Sequence, residues 1–263
     1  MLVLIKPIKR VGIKAKGSGM NILSEAKKIH EILVEFRRDF HLYPELSMQE
    51  YRTANRIEEE LDKLGIEHYR STKTGVIGII KGEAVYKGKV NTGADESESN
   101  IGHQNSTRQA KDRVVALRAD IDALPILESD DRDYCSLNKG VMHACGHDVH
   151  NASLLGAAII LANNKDKFEG TVKLIFQPGE EIGAGAQEMI RAGEMKGVER
   201  IFGLHVAPDL SCGEVGVTPG INNASVDHFK IEIEGRATHV STPQLGVDAL
   251  YIGAQTVVAL QAL

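Results

Sequence analysis

Short apolar runs rich in β-branched residues alternate with helical patterns along the middle of this chain. The runs lie at residues 76–80, 114–117, 172–176 and 201–204, and helical patterns at 151–162 and 184–192 fall between them. Because strands that alternate with helices pack as a sheet covered on both faces, the sequence predicts an α/β fold with a mixed or mainly parallel sheet. Amphipathic patterns at 24–43 and 51–64 predict further helices, the second preceded by a Ser47–Glu50 capping box.

The composition is that of an ordinary globular protein. Hydrophobic residues make up 42% of the 263 residues, and 31 basic against 36 acidic residues give a net charge of −5. This balance offers no basic surface for nucleic acid, and no apolar run approaches the roughly 20 residues that cross a bilayer. We therefore expect small-molecule partners, no nucleic acid and no membrane. Cys135, Cys145 and Cys212 have no disulfide-like spacing, which favours the cytoplasm.

Two segments have compositions that set them apart from the predicted α/β domain. Residues 1–19 carry five basic residues and no acid, and we interpret them as a basic tail. Residues 91–112 are almost entirely polar, which predicts a surface insertion because too few apolar side chains are available to bury. The α/β domain itself is predicted to span residues 20–218.

A different pattern begins after Pro219. Apolar and charged residues alternate over 229–234, which predicts a half-exposed strand, and an amphipathic helix is predicted from Val247. The helical pattern is still running at Leu263, with no capping residue. We therefore interpret residues 219–263 as the start of a smaller α+β domain that is truncated here.

The first cluster of chemically active residues lies just before the helix predicted at 151–162. His143, Cys145, His147 and His150 place four potential metal ligands within eight residues, and thiolate with imidazole suits zinc and related metals. The ordinary alternative is a buried cysteine among polar residues that cap a helix. For His143 and His150 taken singly, a supporting or capping role fits as well as ligation does.

Glu180 and Glu181 follow the strand predicted at 172–176. Adjacent carboxylates repel each other, and they are tolerated when one binds a metal ion and the other transfers protons. A solvated pair of glutamates on a loop is the ordinary alternative. His205 follows the next predicted strand in the same way. A single histidine after a strand is more often a satisfied core or edge residue, and only together with the other two clusters does His205 become a candidate ligand.

Asp120 and Asp122 end the strand predicted at 114–117, where they could orient a ligand imidazole by accepting its second N–H. Surface charge is the alternative interpretation of both aspartates. Because ligands of open α/β sheets bind outside the carboxyl ends of the strands, we expect the clusters to meet at one sheet edge.

Five motifs occur in an order that resembles a known enzyme family. They begin at Phe40, Ala116, His143, Phe176 and Gly203, and read FHLYPELSMQE, ALRADIDALP, HACGHDVH, FQPGEE and GLH. The series resembles the metal-dependent N-acyl-amino-acid amidohydrolases, the family of hippurate hydrolase and the auxin-amide hydrolases. The resemblance spans residues 24–263. It implies a catalytic domain with two divalent ions (zinc, manganese, cobalt or nickel), a lid domain that forms a homodimer, and small N-acyl amino acids as substrates.

The resemblance also implies roles for single residues. Cys145 would bridge the two metal ions, and His147, Glu181 and His205 would be further ligands. Glu180 would be the general base. His239 matches a lid histidine that helps to polarise the substrate carbonyl.

Alternative functions stay open at this level. The family's catalytic domain resumes after the lid and supplies a last histidine ligand, which these 263 residues lack. An inactive metal-binding fragment or an interaction module is therefore one alternative. Another makes Cys145 a nucleophile with His147 or His205 as its base. A closed structural zinc site is the last.

Overall fold

The computed structural model describes residues 21–84, 110–129, 132–217, 219–221 and 229–262. The basic tail predicted at 1–19 lies outside the described residues, and so does the predicted insertion up to residue 109. Its end is a single 3-10 turn, Ala110–Asp112. The chain divides into two compact units, whose described parts are residues 21–212 and residues 213–262.

Five strands of the first unit form one mixed sheet. They are β1 (Glu67–Ser71), β2 (Gly75–Lys81), β3 (Val114–Asp120), β4 (Thr171–Gln177) and β5 (Arg200–Gly203). Their order across the sheet is β1-β2-β4-β3-β5. Strands β1 and β4 run antiparallel to β2, whereas β3 is parallel to both β4 and β5. The predicted mixed sheet is therefore confirmed.

Helices cover both faces of this sheet. They are α1 (Ile22–Lys28), α2 (His30–Leu42), α3 (Tyr51–Lys63), α4 (His147–Ala162) and α5 (Gly185–Arg191). Phe40 and Leu155 pack with Phe176 of β4 in the larger core, while the adjacent Ile175 packs with Met189 of α5 in the smaller one. Because successive side chains of a strand point to opposite faces, β4 contributes to both cores.

Three local predictions about helices need correction. The capping box is wrong, because the Ser47 hydroxyl donates to Asp122 Oδ2 at 2.6 Å and Glu50 makes no capping hydrogen bond. Glu45 caps α3 instead, accepting from the backbone N–H groups of its second and third residues at 3.0 and 2.8 Å. The pattern at 24–43 forms two helices that meet at Ile29. Helix α4 begins at His147 rather than Asn151.

The second unit contains α6 (Ala249–Leu260), which confirms the helix predicted from Val247. The Asp248 side chain caps α6 by accepting from the Tyr251 N–H at 3.0 Å. The strand predicted at 229–234 is wrong, because these residues find no hydrogen-bonded partner strand among those described. One isolated bridge, between Arg236 and Val247, follows it. Within the described ranges, no helix combines the length and apolar character needed to span a membrane.

Candidate metal centre

The ends of three parallel strands bring several of the predicted site residues to one edge of the sheet. Asp120 at the end of β3 pairs with Gln177 at the end of β4, and Arg118 of β3 pairs with Gly203 at the end of β5. Glu180 follows β4 and His205 follows β5 within a few residues. The expectation that the clusters meet at a common edge agrees with this topology.

Potential metal-ligand atoms from five of these residues converge on this edge. Cys145 Sγ lies 3.4 Å from His205 Nε2. Ligand atoms of Cys145, His147 and His205 all lie within 4.8 Å of one another, and the same holds for His147, Glu180 and Glu181. We call these five residues the metal centre, and His147 belongs to both groups.

His147 is the best-oriented member of the metal centre. It is the first residue of α4 and is fully buried. Its Nδ1 lies 2.9 Å from the Asp122 carbonyl oxygen and 3.3 Å from Asp122 Oδ1, so Nδ1 carries the proton. In the neutral ring the opposite atom, Nε2, therefore presents a lone pair. Nε2 lies 3.9 Å from Glu180 Oε2 and 3.8 Å from Glu181 Oε1.

Two buried polar atoms of the metal centre have no hydrogen-bond partner. They are His147 Nε2 and Glu181 Oε1, which face each other across that 3.8 Å gap. Buried polar groups are normally paired, so each unpaired atom needs an explanation. A thiol, two imidazoles and carboxylates are also the ligand types that zinc and related ions take. These residues therefore fit divalent metal ions.

Acidic groups dominate the electrostatics of the metal centre. Burial lowers the pKa of His147, but the hydrogen bond to Asp122 and the charge of Asp120 outweigh it and raise this pKa. Burial and then the charge of Glu181 raise the pKa of the Cys145 thiol to about 12. Burial also raises the pKa of the Glu181 carboxyl. Both shifts disfavour the charged form, and a nearby cation would reverse them. The half-buried thiol would become a thiolate only beside such a cation.

Gly146 packs the cysteine segment against the segment that carries His205. Gly146 caps α4 with φ of +85°, a left-handed conformation that suits glycine. A Cβ built at this position would lie 2.4 Å from Val206 Cγ2. The backbone of the Cys145–His147 turn therefore touches the residue that follows His205.

Asp120 and Asp122 make different contacts. Asp122 accepts from His147, whereas Asp120 Oδ1 lies 2.5 Å from His150 Nδ1 and Asp120 Oδ2 accepts from Arg118 at 2.7 Å. Burial alone would raise the Asp120 pKa, but the His150 hydrogen bond and the Arg118 charge outweigh it and lower the pKa to about 2. Asp120 therefore stays ionised.

The two remaining histidines of the cluster have separate environments. The Val206 N–H donates to His150 Nε2 at 2.9 Å, which occupies that lone pair and ties α4 to the His205 segment. His143 is buried and neither ring nitrogen has a hydrogen-bond partner. Burial lowers the pKa of His143 to about 4. His150, Asp120 and His147 form a further group of residues whose side-chain atoms are close enough to share a metal ion. His143 belongs to no such group among the described residues.

His239 lies in the second compact unit. Its side chain is exposed, and its Nδ1 lies 2.7 Å from the Ser241 hydroxyl of the same loop. The predicted role of His239 with substrate stays a prediction.

Sequence reasoning missed two buried groups that contact sequence neighbours of the metal-centre residues. The spacing of Ser47 and Glu50 predicts a capping box, yet the Glu50 carboxylate contacts the turn that carries Glu180. His41 lies between Asp148 Oδ2 at 2.7 Å and Glu128 Oε1 at 2.9 Å. Both residues belong to the first family-like motif, and that was the only signal that could have found them.

Comparison with known proteins identifies the family. Residues 116–260 match the model described as peptidase family M20/M25/M40. The chain belongs to this family.

Two relatives and one solved structure show the extent of the match. N-acetyl-L-cysteine deacetylase of Bacillus subtilis is 39% identical over 252 residues, which are 95% of this chain and 53% of the relative. N-acyl-L-amino acid amidohydrolase of Geobacillus stearothermophilus is 39% identical over 231 residues, 87% of this chain and 55% of the relative. A dinuclear metal-binding peptidase of the M20 family from Bacillus subtilis is 41% identical with a TM-score of 0.58, over 70% of this chain and 45% of that chain. The chain spans about half the length of the curated relatives that it matches.

Proposed function

We propose that this chain carries the metal site of an amidohydrolase that cleaves the amide bond of small N-acyl amino acids. The observation that supports this most directly is the pair of unpartnered buried atoms, His147 Nε2 and Glu181 Oε1, in a site with an excess of carboxylates. The names of the two amidohydrolase and deacetylase relatives support the substrate class. The experiment below tests both parts.

Two divalent ions would be held by the ligands that the sequence predicts. Cys145, His147, Glu181 and His205 are the residues of this chain that would hold them. Zinc, manganese, cobalt or nickel suits this mixture of sulfur, nitrogen and oxygen. When bound, such ions lower the pKa of water and polarise the amide carbonyl.

Glu180 is the proposed general base. Its side chain is more exposed than that of Glu181, and Glu180 Oε2 lies 3.9 Å from His147 Nε2. The Glu180 carboxylate takes a proton from the attacking water as the new C–O bond forms. It then returns this proton to the amine nitrogen as the C–N bond breaks, so the products are a free amino acid and a carboxylic acid.

The remaining parts of the proposal come from the family resemblance. His239 contacts the substrate carbonyl, and a homodimer forms through the domain that starts at residue 219. A cytoplasmic location is supported by the described cysteines, Cys135, Cys145 and Cys212, which form no disulfide.

Replacement of Glu180 by glutamine tests the function. We expect Glu180→Gln to lower kcat about 10²- to 10⁴-fold on a panel of N-acyl amino acids, because the amide cannot accept the proton. Metal content, measured by elemental analysis, should stay unchanged. The matched control is Glu188→Gln on the exposed surface of α5, which removes the same charge and should leave kcat unchanged.

Cys145→Ala should lower metal content in the same assay. Full activity of Glu180→Gln would remove Glu180 from its proposed role. Bound metal in the unaltered chain, without hydrolysis of any substrate of the panel, would favour the metal-binding fragment instead.

A cysteine nucleophile is the second candidate, because Cys145 Sγ lies only 3.4 Å from His205 Nε2. Burial and, after it, the acidic surroundings argue against it, since together they raise the thiol pKa to about 12 and a nucleophilic cysteine needs a low pKa. Hydrolysis that survives a chelator such as EDTA would favour the nucleophile.

A further inference from the structure

Glu50 is a fully buried carboxylate outside the metal centre. Its Oε1 accepts from the backbone N–H groups of Met48 at 2.8 Å and Gly179 at 2.9 Å. Its Oε2 accepts from the Thr74 hydroxyl at 2.6 Å. No described lysine or arginine forms an ion pair with it. Three N–H and O–H donors therefore hold this carboxylate in a single place.

The Gly179 N–H lies in the turn that carries Glu180 and Glu181. A second carboxylate holds the same turn, because the Glu181 N–H donates to Asp122 Oδ2 at 3.0 Å. Glu180 is thus flanked by two backbone N–H groups, each fixed by a buried acid from another part of the chain. The two acids lie 129 and 59 residues away from these N–H groups in sequence.

Close packing reinforces the contact between Glu50 and the turn. Gly179 has φ of +56°, and a Cβ at this position would lie 2.6 Å from Met48 Sδ. Met48 also has a left-handed backbone, with φ of +63°, although it is not glycine. The Glu50 carboxylate accepts from the N–H groups of both residues, so it supports two unusual conformations that touch each other.

We propose that Glu50 is a positioning residue for the metal centre. By holding the Gly179 N–H, Glu50 sets the distance of the Glu180 and Glu181 carboxylates from His147. The inference rests on the proposed function, because it assumes that Glu181 is a metal ligand. Groups that orient ligands from behind typically change metal affinity or activity 10- to 100-fold when they are removed.

Two substitutions of Glu50 separate the hydrogen bond from the charge. Glu50→Asp keeps the charge but withdraws the carboxylate by one methylene from Gly179. Glu50→Gln removes the charge but keeps an oxygen that can accept from the Met48 and Gly179 N–H groups, while its amide faces the Thr74 hydroxyl. Thr74→Val is the matched control, because it removes the hydrogen bond to Oε2 and leaves the contact with Gly179 in place.

The full chain, stripped of metal, is titrated with Co²⁺, and the thiolate-to-cobalt absorption of Cys145 reports binding. We expect Glu50→Asp to weaken Co²⁺ binding about 10- to 100-fold. Where the metal-loaded chain hydrolyses an N-acyl amino acid, Glu50→Asp should also lower kcat with little change in KM. Glu50→Gln and Thr74→Val should each stay within about threefold of the unaltered chain. Thermal unfolding of the metal-free proteins checks that each variant is folded.

Three results would overturn the inference. The first is a folded Glu50→Asp variant with unchanged Co²⁺ affinity. The second, which applies even if Glu50→Asp does not fold, is a folded Glu50→Gln variant whose affinity falls tenfold or more. The third is a loss in Thr74→Val as large as that in Glu50→Asp, which would indicate a general packing role.

Glu181→Gln is measured in parallel to separate this inference from the proposed function. An unchanged Co²⁺ affinity in Glu181→Gln would refute the ligand assignment, and the role of Glu50 would fall with it. If Glu181→Gln binds weakly while Glu50→Asp binds normally, only the role of Glu50 is refuted.

Discussion

Two groups of buried charged side chains lie on the same sheet, and their acids are neutralised in different ways. In the first, which we call the lysine cluster, Lys173 of β4 donates to the carbonyl oxygen and to Oε2 of Glu194, both at 2.6 Å. The hydroxyl groups of Tyr69 and Ser71 donate to the same carboxylate at 2.7 Å. One positive charge balances one negative charge, and the carboxylate is fully paired.

The metal centre, taken together with the neighbouring Asp120 and Asp122, contains more acid than base. Asp120 has Arg118 as a partner, but Asp122, Glu180 and Glu181 face only imidazoles, a thiol, a hydroxyl and backbone groups among the described residues. Two of its buried atoms are unpaired. The difference indicates that the lysine cluster is complete within the chain, whereas the metal centre is built for a positive charge that comes from outside it.

The largest effect is expected from breaking the lysine cluster. Lys173→Met should lower the free energy of unfolding by about 3–5 kcal/mol, because it leaves the Glu194 carboxylate buried without its counter-charge. Urea unfolding monitored by circular dichroism measures the change. The double variant Lys173→Met with Glu194→Gln serves as the control and should recover most of the loss. A loss below about 1 kcal/mol in the single variant would show that the two clusters do not differ in this way.

Zn²⁺ should supply the missing charge of the metal centre. At a free concentration 100 times its dissociation constant, it should raise the free energy of unfolding by about 2.7 kcal/mol, because it binds the folded chain only. Thermal unfolding with and without Zn²⁺ tests this. The shift should persist in Lys173→Met and disappear in Cys145→Ser. An equal shift in Cys145→Ser would place the ion elsewhere.

Removing an acid from the metal centre should stabilise the metal-free fold slightly. This effect is smaller than that of breaking the lysine cluster and opposite to it in sign. Glu181 has a folded-state pKa above its unfolded value, so its ionised form destabilises the metal-free fold at neutral pH. We expect Glu181→Gln to raise the free energy of unfolding by up to about 1 kcal/mol in EDTA. Urea unfolding at pH 7 provides the measurement. A loss of several kcal/mol would mean that this carboxylate is already neutralised within the chain.

The smallest predicted effect comes from His41. Its charge balance is intermediate between that of the lysine cluster and that of the metal centre. It contacts the acids Asp148 and Glu128, and its hydrogen bond with Asp148 raises the pKa of His41 despite the opposing effect of burial. A raised pKa means that the stabilisation is fully present below pH 6.5 and is lost as the pH rises through the folded-state value. The stability difference between the unaltered chain and His41→Gln should therefore shrink from pH 6 to pH 9 in EDTA. A difference that grows over this range would contradict the assignment.

Much of the sheet could be predicted from the sequence, because buried strands need β-branched apolar residues and short runs of them are distinctive. The residues of the metal centre were predictable for a similar reason, since Cys145 and His147 cluster with other potential ligands just before a predicted helix, and the Glu180–Glu181 pair directly follows a predicted strand. The hydrogen bonds that hold these residues in place were not predictable from the sequence. Ser47 and Glu50 fit a capping box by spacing alone, yet both side chains bind groups far away in sequence. Local spacing carries no information about such partners.

Residue type alone also failed to separate His143 from His150. Both are buried histidines close to Cys145 in sequence, and the contacts of their ring nitrogens, which distinguish them, cannot be read from residue type. The strand predicted at 229–234 failed for a related reason. Alternation describes a strand with one buried face, but pairing needs a neighbouring strand that a single segment cannot reveal.

The close contact between Gly146 and Val206 couples the conformations of two segments that are far apart in sequence. Cys145 and His205 stand 60 residues apart along the chain, yet there is no room between their neighbours for even a single methyl group. Any change in the shape of one stretch must be matched by the other. A designer who wished to retune this site for a different ion would therefore have to rebuild both stretches together.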